Sequence, residues 1–151
     1  MLLRFLSSWN DERSQVFASH RFMVELDGML VGGFSEVSGL SLETELEEIA
    51  EGGVNHYMHK LPKQTKTQAL VLKRGVTTTN ELWNWYSNVV NGTITRKSGS
   101  VILYNEKDVE LRRWNFYDAF PYKWTGPELN AANSAVAVES IELAHNGLKA
   151  V

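Results

Sequence analysis

Thr78-Thr-Asn-Glu-Leu-Trp-Asn-Trp-Tyr-Ser-Asn-Val-Val-Asn-Gly92 is the stretch of this chain patterned as an α-helix. Thr78 is placed as the N-cap with Glu81 three residues on, the reciprocal pairing that satisfies two free backbone N–H groups. Leu82, Trp85, Tyr86 and Val89 recur at helical spacing and share one face. Trp83 and Val90 widen that stripe, so the helix has to be covered over much of its girth. Asn91-Gly92 supplies a residue tolerant of the left-handed conformation that ends helices. The segments around it are patterned as strands. The expectation is a mainly β body, a sandwich or barrel-like fold, with one flanking helix over residues 78–91.

The 151 residues suit one domain, placed at 20–151 behind an N-terminal arm at 1–19. Net charge is −3 with both signs interspersed, which leaves no electrostatic footprint for nucleic acid. There are no cysteines, which excludes disulfides and thiolate metal sites. No apolar run is long enough to span a membrane. Met1-Leu-Leu-Arg-Phe-Leu-Ser-Ser-Trp9 is apolar, but Asn10-Asp-Glu-Arg13 follows at once, so an arm packed on the body or a neighbour is expected rather than a signal peptide.

Outward from the helix, alternating and apolar runs mark strands. Phe22–Leu26 and Met29–Val31 flank Asp27-Gly28, a strong hairpin pair because a type I′ turn needs positive φ at both central residues. Gly32-Gly33 indicates a bulge or a close backbone approach. Over Leu40–Ile49, alternation puts Leu40, Leu42 and Leu46 on one face and Glu43, Glu45 and Glu47 on the other. Three carboxylates in a row repel one another, so that face meets water. It is either an ordinary solvated face or an acidic surface lining something. Glu51–Lys63 mixes glycines with a strand-like piece and reads as an extended hairpin or loop, the kind of segment that carries contacts. Within it, His56 and His59 fall on opposite faces of a strand with no further ligands nearby, so no metal site is expected.

Thr67–Lys73 reads as a buried strand ended by Arg74-Gly75. After the helix, Thr93–Arg96 and Ser100–Tyr104 are expected to form a hairpin around Lys97-Ser-Gly99. Asn105–Asp108 is a polar turn before the strand Val109–Tyr117. Asp118–Pro127 is rich in aromatics and broken by Pro121 and Pro127, which marks an edge, bend or corner. Val136 and Val138 differ in parity from Ile141 and Leu143, so the last strand, Ala135–His145, is expected to bulge or to be buried on both faces. No phosphate loop or nucleophile elbow occurs, and no constellation supports catalysis or a cofactor.

In order, Arg21–Gly28, Gly33–Leu40, Glu51–Asn55, Leu61-Pro62, Leu72–Gly75, Leu82–Trp85, Trp114, Ala119–Trp124, Gly126–Ala131 and Val138–Leu148 resemble the inner tube proteins of contractile phage tails and of phage-tail-like contractile injection systems. Residues 1–16 have no counterpart in that pattern. The resemblance implies a non-enzymatic structural subunit, six to a ring, with sheets joined into a β-barrel around a lumen. Rings stack into a tube inside a sheath, with baseplate or hub and terminator proteins at its ends, in a virion tail or a cytoplasmically assembled particle. The cargo it implies is DNA or a protein effector, delivered across a target envelope. Glu43, Glu45 and Glu47 become candidates for the lumen wall. Gly52, Gly53, Asn55, His56, Tyr57 and His59 become candidates for ring stacking. Trp83, Val90 and Trp124 become candidates for contact with a neighbouring subunit or the sheath. Alternatives are a tube-like baseplate or terminator adaptor, a type VI secretion tube component, or a monomeric β-domain that binds glycan through the Trp114–Trp124 aromatics.

Overall fold

The computed structural model describes residues 21–27, 29–31, 33–50 and 58–151. Its strands are β1 (Phe22–Leu26), β2 (Met29–Val31), β3 (Phe34–Ser38), β4 (Leu42–Ala50), β5 (Met58–Thr67) and β6 (Leu70–Gly75). The helix α1 (Glu81–Val90) follows, then β7 (Lys97–Tyr104), β8 (Glu110–Thr125), β9 (Val138–Ala144) and β10 (Gly147–Ala150). All pairings are antiparallel. The main sheet runs β2-β1-β7-β8-β9-β6-β3, with β10 added on β8; β4 and β5 form a separate hairpin. The main sheet does not close on itself.

β8 joins the two halves of that sheet. Its first part pairs with β7 and β10, and its second part pairs with β9. The switch falls at Asp118, which adopts φ +55°. Inward positions change parity across it, from Phe116 to Ala119 and Pro121, as an inserted residue requires. The corner expected in Asp118–Pro127 falls at Asp118, and Pro121 does not end the strand. Pro121 sits inside the continuous strand Glu110–Thr125, next to a register shift against β9 that absorbs a residue unable to donate to the ladder.

One core forms between the two halves and the helix: Val24 and Leu26, Leu70 and Leu72, Leu82 and Trp85, Val101, Phe116 and Ala119, Ile141 and Leu143. The expected turn at Lys97–Gly99 is overturned, because these residues open β7 and Thr93–Arg96 is not a strand. Gly99 is a glycine for packing. A Cβ there would overlap the Glu25 carbonyl oxygen and lie 2.6 Å from the Phe116 ring. The last strand also departs from expectation. β9 buries only Glu139, Ile141 and Leu143, with Val136 and Val138 facing out, so it is covered on one face.

The helix is shorter at its start than expected. Asn80 precedes it with no side-chain cap, and Thr78 and Glu81 form no capping box. The Glu81 carboxylate lies 3.7 Å from Arg74 Nη1 instead. The end matches the sequence: Gly92 has φ +90°, Gly92 N–H donates to Val89 and Thr93 N–H to Asn88, a Schellman motif. Trp85 Nε1 donates to the Thr95 carbonyl at 3.1 Å, tying the helix to the chain that leaves it. The Asp27 turn (φ +41°) and the Asn105–Asp108 turn also form; Asn105 Oδ1 accepts from the Lys107 and Val109 amides.

Candidate assembly surfaces

The β4–β5 hairpin leaves the body through two fixed points. Gly39 holds φ +92° where a Cβ would overlap the Ala69 carbonyl oxygen. On the return, Thr67 Oγ1 donates to the His145 carbonyl at 3.2 Å. Beyond these anchors the hairpin is nearly all exposed, including Leu42, Leu46, Ile49 and Leu61 at 50%, 59%, 44% and 46%. Alternation places Leu42 and Leu46 on one face and Ile49 on the other, with Leu61 paired to Glu47. A lone two-stranded hairpin is marginal in water. This one carries apolar side chains on both faces.

Glu43, Glu45 and Glu47 share the Ile49 face of β4, as alternation predicts. They are not a bare carboxylate row. Lys66, opposite Glu43 in the register, is ion-paired with Glu45. The hydrogen bond it donates to Glu45, then the Glu45 charge, raises the Lys66 ammonium above its ordinary pKa. Lys63 lines the same recess as Glu43 and Glu45. Of the ring-stacking candidates, His59 lies on β5, opposite Ile49, rather than in a loop. Gly52, Gly53, Asn55, His56 and Tyr57 lie outside the described residues, as does the arm at 1–19. No cluster of three or more potential metal ligands occurs among the described residues.

On α1, Trp83 and Val90 are 43% and 66% exposed. Trp83 stands edge-on to Trp124, ring centroids 4.8 Å apart, so two of the contact candidates meet within one subunit. Below them lies a network that the sequence reading missed. Arg74 and Glu139 face each other across β6 and β9, both buried, with Arg74 Nε donating to Glu139 Oε1 at 2.8 Å. Trp124 Nε1 donates to Glu139 Oε2 at 3.3 Å. Arg74 Nη2 is buried with no hydrogen-bond partner among the described residues. The signal was present: Leu70, Leu72 and Arg74 share one parity, and Glu139, Ile141 and Leu143 another, with opposite charges at the same end.

A third surface is an apolar groove of about 340 Å³ between β3 and the β1–β7–β8 half, lined by Phe22, Val37, Leu40, Leu103 and Trp114 with Glu36 at its rim. It opens on the side where the sheet fails to close. Among the described residues β3 pairs only with β6, so its other edge is unpaired.

None of the curated proteins matches the chain significantly. Solved structures do. The chain is 25% identical, with a TM-score of 0.84, to a protein of an extracellular contractile injection system, the PVC sheath–tube complex in its extended state; the match covers 96% of this chain and 97% of that one. A chain of the anti-feeding prophage baseplate, six-fold symmetrised, is 26% identical with a TM-score of 0.82, covering 91% and 97%. Hcp1 from Flavobacterium johnsoniae shares the fold alone, at 14% identity and a TM-score of 0.54, covering 85% and 93%. No described helix is long and apolar enough to cross a membrane. The profile of the T4-like virus tail tube protein gp19 matches residues 18–149, and the chain belongs to that family.

Proposed function

We propose that this chain is the inner-tube subunit of a contractile, phage-tail-like machine, built as rings of six that stack through the β4–β5 hairpin. The family membership and the likeness to a sheath–tube complex carry the tube role. The exposed apolar hairpin carries the stacking role. It has Leu42, Leu46, Ile49 and Leu61 in water on a two-stranded element that needs cover. A neighbouring ring supplies that cover. Open sheet edges at β2 and β3 find partners when a ring closes. The role is structural and needs no catalysis. Sheath protein surrounds the tube, baseplate and terminator proteins hold its ends, and DNA or a protein effector occupies the lumen. Glu43, Glu45 and Glu47 are assigned to the lumen wall, and Trp83, Val90 and Trp124 to the outer contacts.

Deleting residues 53–60 tests the stacking. Rings that form but do not elongate are expected by negative-stain microscopy; long normal tubes overturn the assignment. The second reading is a terminator or cap adaptor, favoured by equal likeness to a sheath–tube terminator chain at 26% identity and a TM-score of 0.84. Unaltered protein that yields isolated rings at every concentration supports the adaptor; spontaneous long tubes support the tube.

A further inference from the structure

The β4–β5 hairpin and the 126–137 loop stand at opposite ends of one ladder. β6 and β9 pair from Leu70 opposite Leu143 to Gly75 opposite Val138, roughly 17 Å at about 3.4 Å per residue. β5 runs into β6 at the Leu70 end, so the hairpin leaves there. Residues 126–137 join β8 to β9 at the other end, where Val76 N–H donates to the Ala137 carbonyl. That loop encloses a recess of about 370 Å³ lined by Leu129, Val136 and Val138, with Glu128 as its charged residue. Leu129 and Val136 are 80% and 78% exposed, and Val76 is exposed as well. Two side chains hold the loop in shape: Asn130 Oδ1 accepts from the Ala132 amide and Asn133 Oδ1 from the Ala135 amide.

The two faces of the hairpin differ in chemistry. Leu42, Thr44 and Leu46 share one face, with Thr67, Thr65 and Pro62 opposite them. The Thr44 and Thr65 hydroxyls lie 3.0 Å apart and satisfy each other. The charges of this face among the described residues are Glu48 and Lys60, which stand opposite each other further out, so the face is apolar and neutral. A stack of identical rings repeats one head-to-tail contact, so each subunit needs a projecting element at one end and a receptor at the other. We propose that the recess at 126–137 receives the Leu42–Leu46 face of a hairpin from a second copy of this chain in the next ring. This contact rests on the tube role proposed above and supplies its receiving surface. Leu46 fills the recess, Leu42 lies along its Val76 rim, and Lys60 meets Glu128. One contact thereby covers two apolar surfaces that each subunit leaves in water. The opposite face, with Glu43, Glu45 and Glu47, stays free for the lumen.

The chain has no cysteine, so Leu46→Cys with Val136→Cys introduces one defined pair. The double variant is assembled under reducing conditions, oxidised, and run on a denaturing gel without reductant. Covalent ladders longer than one ring are expected from the tube fraction. Tubes that yield no ladder, or ladders that stop at one ring, overturn the proposal and leave the tube role standing. Val136→Asp is the second variant, in case the cysteine pair impedes assembly. On docking, its carboxylate would lose water beside Glu128, a buried charge next to a like charge. It is expected to leave ring formation and the urea unfolding curve intact while raising the protein concentration needed for tube growth about tenfold or more. Normal tube growth by Val136→Asp overturns the contact. Unaltered protein that forms no tubes overturns the tube role, and the contact falls with it.

Discussion

Glu139→Ala should destabilise the subunit more than any single substitution on its exposed faces. Arg74 and Glu139 are 3% and 7% exposed, and their 2.8 Å hydrogen bond lies on the inward face of two paired strands. Removing the carboxylate leaves a buried guanidinium, and an indole N–H on Trp124 loses its acceptor. The other carboxylate near Arg74 is Glu81, at 3.7 Å and largely in solvent, a poor substitute. Breaking a buried pair from one side costs about 3–5 kcal/mol, because the remaining charge stays desolvated. For a chain of this length each kcal/mol moves Tm by about 2–4 °C, so a fall of about 6–20 °C follows. The assay is urea and thermal unfolding followed by tryptophan fluorescence, at a concentration too low for assembly, since assembly couples stability to concentration. Replacing both partners, Arg74→Met with Glu139→Leu, should recover most of the loss, as apolar pairs of similar size often do. A loss below about 1 kcal/mol, the scale of exposed pairs, would refute the claim that the pair is sealed from water. So would a double variant no better than Glu139→Ala.

Gly99→Ala should cost more than Gly92→Ala, measured by the same unfolding. The first drives a Cβ into the Glu25 backbone and the Phe116 ring, beyond the usual 1–3 kcal/mol of overpacking, about, because backbone cannot step aside. The second has open space and pays only the left-handed backbone strain, about 1–2 kcal/mol. Trp83→Ala should lose the edge-on pair with Trp124, about 0.5–1.5 kcal/mol, while impairing assembly more strongly; sedimentation beside urea unfolding checks the ranking, and the reverse order returns Trp83 to a core role. Lys66 should titrate above the ordinary lysine value in ¹⁵N NMR. Its folded pKa is raised by Glu45, so the pair's small contribution holds through neutral pH and is lost only as pH rises through that value; titration at or below the ordinary lysine range refutes the pairing. Leu46→Asp should leave the isolated subunit's unfolding curve within about 0.5 kcal/mol, as an exposed site allows, yet shorten or abolish tubes in micrographs.

Local patterning carried the helix and the tight turns because each is decided by neighbours within a few residues. Leu82 and Trp85 are buried at helical spacing, and Asn91-Gly92 closes a Schellman motif. It failed where a residue answers to a distant partner. Gly99 looks like a turn glycine beside Lys97-Ser98, yet it exists to admit Phe116 from β8. Pro121 looks like a breaker, yet β8 passes through it because Asp118 and the shifted β9 register had already disrupted the ladder there. The capping box lost Glu81 to Arg74, a residue seven positions away in sequence and across the start of the helix in space.

The surfaces were harder to read for a related reason: composition along one strand says nothing of what stands opposite. Glu43, Glu45 and Glu47 count as three carboxylates from β4 alone. In the folded hairpin Lys66 and Lys63 share their face, which leaves three negative against two positive charges. A lumen lined this way would present about one net negative charge per subunit from this patch. Repulsion between exposed charges fades beyond a Debye length of about 8–10 Å. The same face also carries the exposed Ile49 and Leu61, so it is neither strongly charged nor free of apolar surface. The hairpin's leucines obey the same logic from the other side. Leu42 and Leu46 look like half of an amphipathic strand, yet they stay exposed among the described residues. Under the proposed stacking, what the sequence patterned for burial is burial by another subunit.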